Sequence, residues 1–304
     1  MIQYLNHKSI NKKKWDELIS SSPQEIVYAY SWFLDCVCPD WEALVKDDYE
    51  AVIPLTQNKK ASVSYLYQPF FTQQLGVFSK KEMDEKAVDE FLENIPDKFR
   101  FVEINLNTKN IFSSKDFKHE KKITHHLFLS KPHDKIQARY NENTKRNLKR
   151  AIKHELKISP SIKPVELINM FRKTQGKKIS ELKKQHYTLL ENLMKKSLQL
   201  KRGKLVGTKD ETGKWCAGCF FVYGKNSIIN LFPASTDAAK QNGAMTFLID
   251  SCLKENEMSG KNFDFEGSNI SSIARFYKGF GAAEVNYFRI RRNQLPWLFK
   301  WLKK

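Results

Sequence analysis

Apolar residues recur along this chain with two periods, and the change from one to the other outlines its elements. In the first 130 residues, segments 14–20 and 28–37 carry helical spacing, while 51–55 and 62–67 read as strands. Segment 82–94 sets Met83, Ala87 and Phe91 on one helical face, and a strand follows at 101–106. A polar stretch, 113–122, precedes an apolar strand at 125–129. Lys131-Pro132-His133 then interrupts the pattern, which places the domain junction there and predicts domains 1–132 and 133–304.

The second half begins with a helix from Tyr140. Tyr140, Thr144, Leu148 and Ile152 share one face, and Lys145, Arg146, Lys149, Arg150 and Lys153 cover the rest. Helices at 165–176 and 186–199 come next, then strands at 204–208, 215–223 and 227–232. A helix at 243–257 turns Met245, Leu248, Ile249 and Leu253 inward. A strand at 263–265, a helix from Ile270 and a strand at 285–290 close the chain. Strands alternating with helices in both halves predict an α/β (α+β) layered protein.

Composition narrows this picture. The 304 residues suffice for two domains of roughly 150 each, and a hydrophobic fraction of 41% fills a core. No apolar run approaches the ~18 residues needed to cross a bilayer. The first residues lack the apolar core of a secretory signal, so a cytoplasmic protein is expected. Cys216 and Cys219 lie within a strand-like run, WCAGCFFVY, without the further ligands a zinc site needs, and read as buried thiols. His119, His125, His126 and His133 show no metal-ligand spacing, and no metal is expected.

Charge is unevenly placed. Of the net +18, residues 139–204 carry +14, from 19 Lys/Arg and 5 Asp/Glu, whereas residues 1–138 carry −1. Such a field attracts phosphate-bearing partners: RNA, a nucleotide-linked substrate, coenzyme A or an anionic membrane. Solvated helix faces in a lysine-rich chain are the plainer reading. The tail 295–304, LPWLFKWLKK, either packs Trp297, Leu298 and Trp301 on the core or rests on an anionic membrane as a peripheral anchor.

The densest signal is FDFEGSNISSIARFYKGFGA, residues 263–282: a buried strand, a turn at Gly267-Ser268, a helix, and a stop at Gly279-Phe280-Gly281. Phe263-Asp264-Phe265-Glu266-Gly267 and Phe276-Tyr277-Lys278-Gly279-Phe280-Gly281, with the helix at 140–151, resemble the motifs of FemABX-type aminoacyltransferases, relatives of the GNAT N-acetyltransferases. The resemblance implies tandem GNAT-like domains around a shared cleft. It also implies transfer of an aminoacyl group from a charged tRNA to an amine of a peptidoglycan precursor. Segment 177–184 is too short for the coiled-coil arm of some members. In GNAT enzymes the pyrophosphate of coenzyme A sits on a Q/R-x-x-G-x-G/A loop at a helix start. The matching place, Lys240 to Met245, keeps Gly243 but neither an arginine nor a small last residue. The expectation is therefore no required cofactor, with acyl-CoA or, in preference, aminoacyl-tRNA as co-substrate, and no DNA partner.

Moving an acyl group to an amine requires an unprotonated nucleophile, an oriented donor, and positive charge where the oxyanion develops. The resemblance assigns that charge to Lys278, with Tyr277 lining the reaction centre. A surface lysine closing a helix is the alternative. Glu266, read as pointing away from Asp264 and beside Gly267, is the expected base. Arg275 is expected to hold a phosphate or pair with Glu266, and Arg146, Lys149 and Arg150 to hold a phosphate-bearing substrate. Gln68, Gln73 and Gln74 are expected to bind the acceptor, a core-forming strand with a proline turn being the alternative. An N-acyl- or aminoacyltransferase is the function predicted. A CoA-dependent acetyltransferase and a non-catalytic RNA- or nucleotide-binding protein are the alternatives.

Overall fold

A computed structural model describes residues 1–60, 62–267 and 270–296. The expected turn residue Ser268 and the tail residues Trp297, Leu298 and Trp301 lie outside the described residues. The chain forms two compact units, one of Met1–Ile123 with the segment from Val285 onward, the other Thr124–Glu284.

In the first unit, β1 (Ile2–Leu5), β2 (Glu42–Lys46), β3 (Ala51–Leu55) and a short strand Phe78–Ser79 form an antiparallel sheet. Helices α1 (Lys12–Ser21) and α2 (Ser31–Val37) precede β2. Then β4 (Gln57–Lys60) pairs antiparallel with β5 (Val63–Leu66). With Phe78–Ser79 as β6, α3 (Glu85–Glu93) leads into β7 (Phe99–Asn105), which runs parallel to β5. Helix α3 starts where the Asp84 carboxylate accepts from the Ala87 N–H, and it buries Val88, Phe91 and Leu92. These pack with Leu66, Phe99 and Val102 in one core.

The chain enters the second unit along β8 (Lys118–Phe128). Two helices follow, α4 (His133–Ala138) and α5 (Glu142–Lys153), then β9 (Ile158–Ser159), α6 (Pro164–Lys173) and α7 (Lys184–Gln199). Strands β10 (Gly203–Lys209), β11 (Trp215–Tyr223) and β12 (Ser227–Ser235) form an antiparallel meander. After α8 (Ala238–Asn242) and α9 (Ala244–Glu255) come β13 (Asn262–Asp264) and α10 (Ser271–Lys278). The strand order is β8-β13-β12-β11-β10-β9, with β12 and β13 parallel. That parallel pairing runs from Ser227↔Asn262 to Ile229↔Asp264; β13 then ends while β12 continues to Ser235.

The last strand, β14 (Ala283–Asn293), returns to the first unit and pairs antiparallel with β7. The units therefore divide at Ile123/Thr124 and near Val285, not at 132/133. Pro132 punctuates a different event: it precedes α4, where its missing N–H costs no hydrogen bond.

Candidate active site in the second unit

The two stretches that carry the family resemblance lie against each other. Helix α5 is started by Asn141, whose side chain accepts from the Thr144 N–H at 2.9 Å. The Asn141 N–H in turn donates to the Gly279 carbonyl at 2.9 Å. A Cβ on Gly279 would lie 2.5 Å from the Thr144 hydroxyl, so glycine permits the approach. The Arg139 guanidinium donates to the Gly281 carbonyl at 2.9 Å, and the Tyr140 and Phe280 rings meet edge to face at 5.3 Å. The start of α5 is thus seated on the Gly279-Phe280-Gly281 turn.

The buried face of α5 is Thr144 and Ala151, with Leu148 half-buried; Ile152 is 71% exposed. Residues four apart drift by about 40° per step around a helix, which carries Ile152 off the face that Ala151 takes over. Arg146, Lys149 and Arg150 are exposed, and Lys145 pairs with Glu142 at 3.1 Å.

Helix α10 brings Tyr277 and Lys278 to different environments. Tyr277 is buried among Phe265, Phe276 and His125, with ring centroids 5.1, 5.7 and 6.2 Å away. Burial, with the Glu266 charge next in effect, pushes its phenol well above the ordinary range. It therefore stays protonated at neutral pH. Lys278 is exposed, and its ammonium lies 2.7 Å from the Glu284 carboxylate. Arg275 is exposed on the same helix. Two residues apart in a regular strand would share a face, but the strand ends at Asp264 and Glu266 takes a left-handed φ of 60°. Its N–H donates to the Asp264 carboxylate at 2.8 Å, so the expected divergence of the two carboxylates gives way to a turn built on Asp264. Gly267 follows, half-buried.

Residues to which the sequence assigns no part in the chemistry surround this strand. The Thr124 hydroxyl donates to Asp264 Oδ1 at 2.6 Å, and His126 Nε2 lies 3.3 Å from Oδ2. Fully buried His125 has no hydrogen-bond partner on either ring nitrogen among the described residues. Burial, then the positive charge of Lys278, holds its imidazole below the usual range. Asn230 of β12 is likewise buried, with neither end of its amide partnered among the described residues. On α9, the buried Asp250 accepts from the Tyr140 hydroxyl at 2.9 Å and meets His133 Nε2 at 2.8 Å, which ties α4 and α5 to α9. The β8–β13 register, pairing His126 with Asp264, is the signal that would have found the first group.

The helix start expected to receive a pyrophosphate packs closely against α5. Gly243 takes a left-handed φ of 74°, and a Cβ there would lie 2.1 Å from the Asn147 carbonyl oxygen of α5. The Ala244 N–H, at the start of α9, already donates to the Asn242 side chain at 3.0 Å. Gly243 serves the packing of α5 on the α8–α9 corner. Cys216 and Cys219 are buried strand thiols; Cys219 faces the Met245 sulfur at 3.4 Å, and burial raises its thiol well above the usual range.

In the first unit, Gln68 accepts from the Asn105 N–H and donates to the Thr72 carbonyl, both at 2.9 Å. Buried Gln74 accepts from the Thr108 N–H at 3.1 Å and donates to Gln73 Oε1 at 2.7 Å. These amides brace the loop between β5 and β6.

No family model and no curated protein matches the chain. Among solved structures it is similar to FemX, at 12% identity over 99% of this chain and 100% of that one, with a TM-score of 0.70. It is also similar to the C-terminal domain assigned to a lysylphosphatidylglycerol synthetase from Agrobacterium fabrum, at 11% identity over 96% and 94% and a TM-score of 0.54. A tandem GNAT protein from the clavulanic acid biosynthesis pathway matches at 8% identity over 97% and 99%, with a TM-score of 0.50. Along nearly its whole length, and with no coiled-coil arm among the described residues, the chain shares its fold with FemX and with the tandem GNAT protein.

Proposed function

We propose that the protein is an N-acyltransferase that forms an amide on an amine acceptor, with an aminoacyl-tRNA as donor. The observation that carries this reading is the seat of α5 on the Gly279-Phe280-Gly281 turn. It brings the most basic helix of the chain against the segment that ends in Lys278. Arg146, Lys149 and Arg150 supply charge for donor phosphates, and Lys278 supplies it for the oxyanion at the reacting carbonyl. Tyr277, held protonated, is a donor rather than a base. The close packing of Gly243 on the Asn147 carbonyl and the Ala244 N–H already bonded to Asn242 favour a donor other than coenzyme A. A peptidoglycan-precursor amine is the acceptor the motif resemblance favours.

The test is mass spectrometry of RNA and small molecules co-purified with the wild-type chain, followed by transfer assays with each recovered donor. Recovery of aminoacyl-tRNA and transfer of its amino acid to an amine support the reading. Transfer from acetyl-CoA alone would replace it with the CoA-dependent one.

A further inference from the structure

The motif strand holds an imidazole and a carboxylate without a part in the chemistry proposed so far. Asp264 is buried, and the Thr124 hydroxyl and Glu266 N–H both bind its Oδ1, at 2.6 and 2.8 Å. Its rotation is therefore fixed. Among the described residues Oδ2 has no hydrogen bond, and it lies 3.3 Å from Nε2 of His126. A buried carboxylate oxygen left bare is costly unless a donor stands against it, and His126 is the neighbour able to supply one. The β8–β13 register sets His126 directly beside Asp264 on one face of the sheet, with Thr124 next along β8. The imidazole side chain is 20% exposed while Asp264 is 3% exposed. A reachable imidazole backed by a fixed, buried carboxylate is the arrangement of a base and the group that orients it.

We propose that His126 is the base that deprotonates the acceptor ammonium and that Asp264 is its positioning residue, a role that rests on the acyl-transfer reading above. With Nε2–H turned to Asp264, Nδ1 takes one proton from R–NH3⁺ and passes it to solvent. The freed nitrogen attacks the donor carbonyl, the C–N bond forms, and the ester or thioester bond breaks. The second proton shed by nitrogen leaves with the departing oxygen or sulfur. Glu266, expected from the sequence to be the base, contributes its backbone N–H to Asp264.

The experiment compares the wild type with His126→Ala, His126→Gln and Asp264→Asn, each checked for folding by thermal unfolding. Donors are unfractionated aminoacyl-tRNA and acetyl-CoA. Acceptors are glycinamide, which is largely an ammonium ion at neutral pH, and hydroxylamine, whose nitrogen is already unprotonated. Products above the protein-free background are measured by mass spectrometry. Both His126 variants are expected to lose transfer to glycinamide by on the order of 10²-fold or more and to keep transfer to hydroxylamine. Asp264→Asn is expected to show the same acceptor-selective loss. Equal loss with both acceptors makes His126 a structural residue, and no loss with either removes it from the reaction; each overturns the proposal alone. A wild type that transfers to neither acceptor overturns the acyl-transfer reading and this role with it.

Discussion

The ammonium of Lys278 and the carboxylate of Glu284 stand 2.7 Å apart across the Gly279–Gly281 turn, with the two side chains 51% and 39% exposed. The pair orients Lys278 without burying it. An ion pair at that exposure contributes about 0–1 kcal/mol to stability. Lys278→Ala is therefore expected to lower acyl transfer by on the order of 10²-fold while shifting the unfolding free energy by less than about 1 kcal/mol. Transfer kinetics and urea denaturation of the same preparation check both halves. A variant as active as the wild type removes Lys278 from the reaction.

Gly243 gives a prediction of opposite kind. Alanine there meets both a left-handed φ of 74° and the Asn147 carbonyl oxygen at 2.1 Å, a backbone atom that cannot swing aside. Gly243→Ala is expected to cost on the order of 3 kcal/mol in chemical denaturation. For the same reason, acetyl-CoA is expected to leave the melting temperature of the wild type unchanged. A dose-dependent rise would show that the helix start is open to a pyrophosphate.

The buried polar groups of the second unit set a third expectation. Asn230 is buried with its amide unpartnered among the described residues, a situation that costs about 1–3 kcal/mol. Asn230→Leu, of similar volume, is expected to raise the unfolding free energy by part of that amount. A decrease would mean that the amide is satisfied in solution.

His125 fixes a pH dependence. Its folded-state imidazole is held below the usual range, so it stays neutral while the unfolded chain takes up a proton near pH 6.5. Its contribution is therefore absent at high pH and appears as a loss of stability as pH falls below about 6.5. Denaturation midpoints measured between pH 8 and pH 5 are expected to fall more steeply for the wild type than for His125→Leu. Parallel curves would contradict this.

The exposed charge of α5 predicts salt-sensitive binding. Replacing Arg146, Lys149 and Arg150 with glutamine leaves the buried Thr144–Ala151 face intact, so the fold is expected to persist. Binding of unfractionated tRNA is expected to weaken. The log–log slope of affinity against salt should flatten by about 0.7–0.9 for each phosphate that the variant no longer neutralises. An unchanged slope would place the RNA elsewhere or nowhere.

Much of the fold was legible because hydropathy marks buried strands directly. Segments 51–55 and 215–223 are the observed β3 and β11, residue for residue. Strand β8 was read seven residues short at its start, because Lys118 to Lys121 are exposed and a hydrogen-bond ladder, not burial, makes them a strand. The return of β14 to β7 also left no local mark, since its partners lie far away in sequence. The site was legible only where one segment holds it. Tyr277 and Lys278 stand side by side in one motif, which does not display their separation into a buried phenol and an exposed ammonium. The Asp264–His126 pair and the glutamine brace depend on strand register and loop closure, which no single stretch displays. Gln68 and Gln74 have the chemistry of ligand-binding amides, yet the backbone of their own unit uses it.

The most direct measurement is single-turnover transfer of a radiolabelled amino acid from unfractionated aminoacyl-tRNA to an amine acceptor by the wild type and by Lys278→Ala. A new amide product is expected with the wild type, and on the order of 10²-fold slower formation with the variant. No amide above the protein-free background, or equal rates for the two proteins, would contradict it.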